Sequence, residues 1–268
     1  MEHAVAIIGA DGHVGRHLAA LAEGDGLETR RVGRNDDLAA ALAGAAAAIH
    51  LQGTLQATGG NSYQAANVGT LARTVDAARK HGVARVVFLS YVGADAGARN
   101  AYLRTKGAAE ALLRDSGLEA VIVRSTFIFG PPEDPGPSFL PFLQEDGKPV
   151  AVVGEGRQRY QPVYVGDVGR ALLAAAGGRV APGTYSIAGP EALTLDELVA
   201  LVNGHEVTER HLHGLAARAA AAVSPRLTQA MVGVLSGDSL PDVPVLWPHV
   251  GFAPTALREI YRGVEVGV

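Results

Sequence analysis

Tyr102 and Lys106, in the run Tyr102-Leu103-Arg104-Thr105-Lys106, place a phenol and an ammonium four residues apart. On a helix that spacing sets both on one face. A phenol with an ordinary pKa of about 10 is a poor acid or base near neutrality. A lysine cation beside it favours the phenolate and brings proton transfer toward the working range. With 7 tyrosines in 268 residues and lysines rarer still, chance supplies roughly 0.08 such pairs. The plain alternative is a surface i,i+4 pair that only solvates a helix.

A second constellation lies at the start of the chain. The turn Gly9-Ala10-Asp11-Gly12-His13-Val14-Gly15 follows an apolar run and precedes an amphipathic one. Its spacing suits a tight strand-to-helix turn whose backbone approaches a pyrophosphate, with Gly15 letting the helix sit close to the sheet. Asp11, Gly12, His13, Val14 and Gly15 would then present a helix N-terminus, with its amides and partial positive charge, to the phosphates. The chain holds 34 glycines, so the triplet gains its weight from its place between strand and helix. The choice of nucleotide falls to the end of the second strand, Arg30-Arg31-Val32-Gly33-Arg34. An arginine there holds a 2′-phosphate, whereas a carboxylate holds a ribose diol. Arg34 is the candidate for the phosphate, with Arg31 in reserve, and Asp36 and Asp37 are within reach of a ribose. NADP(H) is favoured over NAD(H).

Other groups point elsewhere or nowhere. His13 and His17 have the i,i+4 spacing of two metal ligands but no accompanying HExxH glutamate. His205, His211 and His213 lack a regular helical ligand spacing and read as loop or cap residues, so no metal is expected. Ser62, Ser116 and Ser138 lack the GxSxG setting of a hydrolase nucleophile. A net charge of -4 offers no footprint for nucleic acid. No apolar run is long enough for a membrane span. The chain has no cysteine and opens Met1-Glu2-His3 without a basic, cleavable leader, which together suggest a cytoplasmic address.

The elements that must position these residues alternate along the first two-thirds of the chain. Strands are expected at 4–9, 29–32, 47–51, 85–90 and 120–124, and helices at 13–22, 38–42, 65–81 and 101–116. Strands apolar on both faces and separated by helices call for an α/β fold, a Rossmann-type doubly wound parallel sheet. Beyond residue 129 the regularity fades. Residues 130–141 are rich in proline and glycine and read as a loop, with Phe139 and Phe142 as a possible pocket wall. Short strands are expected at 150–153, 162–165 and 184–187, and helices at 167–176 and 195–202, the latter capped by Thr194. Trp247, Tyr160 and Tyr164 read as structural. Residues 1–268 are expected to form a single NAD(P)-binding domain with a small C-terminal substrate-side cap, contributed mainly by 130–165 and 184–268.

The turn GADGHVG, the strand end IHLQGT, the helix NVGTLARTVDAARKHGV, the strand VVFLS, the YLRTK pair and RSTFIFGPP follow one another in a familiar order. Over residues 4–204 the chain resembles the short-chain dehydrogenase/reductase superfamily. RYQPVYVGDV and TYSIAGPEALTLDELV resemble its extended branch. YLRTKGAAEALLRDSGL followed by RSTFIFGPP looks like the atypical group related to the NADPH-binding 39 kDa subunit of respiratory complex I. The resemblance implies hydride transfer in which Tyr102 protonates a carbonyl oxygen or deprotonates an alcohol. Lys106 would hold the nicotinamide ribose and tune Tyr102. Leu51, Gln52 and Gly53 would lie along the adenosine and diphosphate, and Thr126 and Phe127 near the nicotinamide. The family's serine after the fourth strand falls at Ser90 or, one position on, at Tyr91, and Asn67 aligns loosely with its helix asparagine.

These readings make the chain an NADP(H)-dependent ketoreductase acting on a small-molecule carbonyl substrate. A second class of function is a non-catalytic NADPH-binding sensor, assembly factor or structural subunit, for which the serine departure speaks. A sugar-nucleotide epimerase or dehydratase shares the machinery but would call for a larger C-terminal domain. Oligomeric state is left open.

Overall fold

Short apolar runs of valine, isoleucine and alanine alternate with amphipathic stretches, and the computed structural model of the protein turns that rhythm into strands and helices. It describes residues 4–57, 62–134, 136, 143–145, 147, 149–223 and 228–261. The first elements are β1 (Val5–Ile8), α1 (His13–Gly24), β2 (Thr29–Val32), α2 (Leu38–Leu42) and β3 (Ala47–His50). Next come α3 (Thr70–His81), β4 (Arg85–Tyr91), α4 (Ala101–Arg114) and β5 (Glu119–Ser125). Four short strands follow, β6 (Ile128–Phe129), β7 (Val150–Val153), β8 (Arg159–Tyr160) and β9 (Val163–Tyr164). The chain continues through α5 (Val165–Ala176), β10 (Gly183–Ile187), β11 (Leu193–Thr194), α6 (Leu195–Asn203) and β12 (Glu209–Leu212). It closes with α7 (Gly214–Val223), α8 (Gln229–Leu235), α9 (Trp247–Val250) and α10 (Leu257–Ile260).

Two compact units result. One comprises Met1–Ser125, Val165–Ile187 and Pro241–Phe252, the other Thr126–Tyr164, Ala188–Leu240 and Ala253–Val268.

The first unit is built on a six-stranded sheet in the order β10-β5-β4-β3-β1-β2, each pair parallel. Both faces are covered, which is why its strands are apolar throughout. Ala6, Ile8, Val86, Phe88 and Ile122 pack with Leu42, Leu71, Val75 and Leu113 of α2, α3 and α4. Helices α1 and α5 pack together against the opposite face, with Gly169 admitting Leu18 and Leu21. This is the doubly wound α/β arrangement expected from the sequence. The connection reverses between β1, which leads outward to β2, and β3 on its other side. Ligands of such sheets bind beyond the carboxyl ends of the strands at that reversal.

One local departure matters for the site. A single helix is expected over 65–81, but Gln64–Gly69 winds as a π-helix before α3 begins. The wider turn buries Asn67 completely and lets its side chain bond outward to neighbouring elements, as described below. Such bulges cost regular hydrogen bonding and recur where a side chain must be placed.

Among its described residues the second unit carries three two-stranded pairs: β6 with β9 and β7 with β12, both parallel, and β8 with β11, antiparallel. Helix α6 starts with the Thr194 cap, completed by Glu197 into a capping box. Residues around His211 read as loop, yet Glu209–Leu212 forms β12. A strand whose residues are all partly exposed has no apolar run to reveal it. Ser138, Phe139 and Phe142 lie outside the described residues, as does Pro225. Among the described residues no helix is long and apolar enough to cross a membrane.

Candidate dinucleotide site and the Tyr102–Lys106 pair

The glycine turn leaves β1 with Gly9 at φ +91°, a conformation that favours glycine. The Gly9 and Ala10 amides donate to Val32 O at 2.8 and 3.2 Å, tying the turn to the end of β2. A Cβ on Gly15 would stand 2.3 Å from Gly9 O, so α1 can approach the turn only because that position is bare. Gly12 caps α1 without a side-chain bond, and first-turn amides have no intrahelical acceptor. Asp11 is exposed, His13 and Val14 are half-buried, and the rings of His13 and His17 meet edge-on at 4.8 Å. This bare, close-set turn at a helix N-terminus fits a dinucleotide pyrophosphate.

The end of β2 sorts its charged residues. Arg30 donates to the carbonyls of Ala41 and Ala43, and Arg31 pairs with Glu23. Asp37 caps α2. Asp36 accepts from the Gly33 amide at 2.7 Å, and a Cβ on Gly33 would stand 2.2 Å from an Asp11 carboxylate oxygen. Arg34 is exposed at the strand's carboxyl end.

Helix α4 begins at Asn100, whose side chain accepts from the Tyr102 and Leu103 amides. One turn on, the Lys106 ammonium donates to Leu89 O at 2.7 Å and lies 4.3 Å from the centre of the Phe88 ring. Its side chain is almost wholly buried, which pushes it down to about 7, with Glu110 opposing the shift. Tyr102 is half-buried between the rings of Tyr63 (6.4 Å) and Tyr91 (5.8 Å). Burial, then Tyr63, pushes its phenol above its ordinary range.

The loop after β3 connects the two constellations. Leu51 donates its amide to Ile8 O at 2.8 Å, and Gln52 packs so close that a Cβ on Gly9 would meet its backbone nitrogen at 3.0 Å. A Cβ on the next residue, Gly53, would meet Asn67 Oδ1 at 2.8 Å and Lys106 Nζ at 3.8 Å. Asn67 accepts from the Thr54 amide at 2.8 Å and donates to Thr105 Oγ1 at 2.9 Å, fastening this loop to α4. The structure thus brings Gly9, Gln52, Gly53, Asn67 and Lys106 into one chain of contacts.

Ser90 and Tyr91 separate. The Ser90 hydroxyl donates to the buried Glu110 carboxylate at 2.6 Å, whereas the Tyr91 ring faces Tyr102. Thr126 and Phe127 belong to the second unit. There Thr126 Oγ1 donates to Gln161 O at 2.5 Å, and the Phe127 ring lies 5.3 Å from that of Tyr160.

Two groups escaped the sequence reading. His50 ends β3 fully buried, with Nδ1 2.9 Å from Thr74 Oγ1. Burial, then the Lys106 charge, pushes it down to about 3. Glu110, equally buried, binds Arg124 and Arg114 as well as Ser90. Its signal was present: it lies four residues after Lys106, on the same helix face.

Comparison with known proteins adds the lineage. NADH dehydrogenase [ubiquinone] 1 alpha subcomplex subunit 9, mitochondrial, from Arabidopsis thaliana is 30% identical over 170 residues. The match covers 62% of this chain but only 42% of that protein, so the chain spans less than half the length of this curated relative. The structure of MoeE5 in complex with UDP-glucose and NAD has a TM-score of 0.73 at 24% identity, covering 96% of this chain and 95% of that one. UDP-glucose 4-epimerase with UDP-glucose from Thermotoga maritima has a TM-score of 0.72 at 18% identity, covering 96% of each chain. At such identities these structures establish the shared fold. Residues 5–188 match the NAD dependent epimerase/dehydratase family, and the chain belongs to that family, within the extended short-chain dehydrogenase/reductases.

Proposed function

We propose that the protein is an NADP(H)-dependent reductase of small carbonyl compounds, with Tyr102 as the proton donor. The observation that carries this reading is the run of contacts from the glycine turn through Gln52 and Gly53 to Lys106, one helical turn from Tyr102. A bound nicotinamide would supply the hydride. Backbone at Gly12–Gly15 would hold the pyrophosphate on the N-terminus of α1. Lys106, held by Leu89 O, would bind the nicotinamide ribose and place a cation beside the phenol. Burial and Tyr63 hold the phenol protonated at neutral pH, so donation to a carbonyl oxygen would need Lys106 and the bound nicotinamide to bring it back toward the working range. Tyr91, beside Tyr102, stands where a second hydroxyl could donate to the same oxygen. A reducing, cytoplasmic setting agrees with the lack of cysteine.

A second reading has a specific observation behind it. The 30% identical relative is by name a subunit of NADH dehydrogenase, and a cofactor-holding, non-catalytic role fits a site in which the hydroxyl of Ser90 is committed to Glu110. The two readings part on oxidation of NADPH and NADH across a panel of ketones, quinones and aldehydes. A reductase consumes NADPH with at least one of them, and Tyr102→Phe lowers turnover by about 100-fold or more while NADPH still binds. Tight NADPH binding with no turnover by the wild type selects the non-catalytic role.

A further inference from the structure

Consecutive residues of β4 hold consecutive turns of α4. Leu89 accepts the Lys106 ammonium at 2.7 Å, and Ser90 donates its hydroxyl to Glu110 at 2.6 Å. Ser90 is not alone in this grip. Arg124 is its register partner on β5, and Ser186 of β10 is in turn the partner of Arg124. Arg124 binds both oxygens of Glu110, through Nε at 2.9 Å and a terminal nitrogen at 2.8 Å. Its other terminal nitrogen reaches Asp242 at 2.8 Å, and Asp242 also accepts from Ser186 Oγ at 3.1 Å and from the Gly93 amide at 2.8 Å. A row across three strands therefore fixes a fully buried carboxylate one turn beyond Lys106.

We propose that Glu110 is a positioning residue, which acts through Lys106 by locking α4 against β4 and fixing a negative charge one helical turn from the lysine. This rests on the Tyr102–Lys106 reading given above. A forked guanidinium that bonds both oxygens holds a buried carboxylate in one place and orientation. Among the described residues the charged and titratable groups on this side of Lys106 are His50 at the end of β3, Tyr102 and Glu110 on α4, Arg124 and Arg114 behind Glu110, and Asp242 behind Arg124. Of these, Glu110 is the group that favours the ammonium, against the burial that opposes it. Removing its charge would leave two arginines on that side and make Lys106 lose its proton at lower pH.

The chain has three lysines, Lys80, Lys106 and Lys148, so nitrogen-15-labelled side chains give a short NMR spectrum in which Lys106→Met assigns the buried signal. The Lys106 midpoint should lie near 7 in the wild type and fall by about one pH unit in Glu110→Gln. The alkaline limb of the turnover profile should move with it. Glu110→Asp keeps the charge and is the gentler change for the fold; it should give a smaller fall in the same direction. A merely structural Glu110 would lower the melting temperature and leave the midpoint in place. An unmoved midpoint in either folded variant overturns the proposal. A wild type without turnover sinks the reductase reading alone, because the Lys106 titration needs no substrate.

Discussion

The ring of Tyr91 meets that of Tyr102 edge-on, with centroids 5.8 Å apart and planes at 61°. Along β4, Val86, Phe88 and Ser90 alternate toward the helices that cover that face of the sheet, so Ser90 looks at Glu110. Tyr91, one residue on, falls at the carboxyl end of the strand, beside the proposed proton donor. We expect Tyr91→Phe to lower kcat by roughly 10- to 100-fold with little change in cofactor affinity, as for loss of one donor to a developing oxyanion. Ser90→Ala should keep kcat within about threefold but cost about 1–3 kcal/mol of stability, because it removes a hydrogen bond to a buried carboxylate. Steady-state kinetics and urea unfolding of both variants decide the matter. A large kcat loss in Ser90→Ala with Tyr91→Phe silent would return the catalytic hydroxyl to the serine.

The parallel sheet and its helices were legible in the sequence because burial on both faces writes itself as short apolar runs, such as Ala47–His50 and Arg85–Tyr91. The glycine turn was legible for a related reason: only an absent side chain fits at Gly15, where a Cβ would stand 2.3 Å from Gly9 O. What sequence could not give is the direction of a side chain at a strand end. Ser90 and Tyr91 both looked usable there, and the choice between them depends on register against β5 and on Glu110 waiting on α4. His50 was hidden in the same way. A histidine after an apolar run carries no label, and its burial and its bond to Thr74 become visible only once α3 lies on β3. Strand β12 was missed because Glu209, Arg210 and His211 follow one another with no apolar run and none of its residues is buried.

His50 makes a second prediction, about acid stability. Its folded pKa, about 3, lies below the value of about 6.5 expected in the unfolded chain. Between those values the unfolded state takes up a proton that the folded state refuses. The stability linked to His50 is therefore fully present above about 6.5 and is lost as pH falls toward 3. Below about pH 6 the loss approaches about 1.4 kcal/mol per pH unit for this one group. In His50→Asn, which keeps a polar partner for Thr74, that part of the slope should vanish. Urea unfolding at several pH values between about 4 and 7 reads it directly, and equal slopes in the two proteins would refute the assignment.

Nucleotide choice rests on the carboxyl end of β2. Arg30 bonds two backbone carbonyls and Arg31 pairs with Glu23, whereas Arg34 stands exposed just beyond β2, the position proposed here for a 2′-phosphate contact. Opposing it, the carboxylates of Asp11 and Asp36 converge on Gly33 and would suit a ribose diol. Charge-assisted bonds to a phosphate are strong, so an arginine that makes them should dominate. Arg34→Ala is then expected to raise the Kd for NADPH by about 10- to 100-fold and to leave that for NADH within about threefold. Asp36→Ala should relieve repulsion and tighten NADPH slightly, while loosening NADH. Fluorescence titration of both nucleotides against wild type and the two variants supplies the comparison. If the wild type prefers NADH and Asp36→Ala abolishes that preference, the carboxylates hold the ribose. Arg34 then serves only to solvate the edge of the sheet.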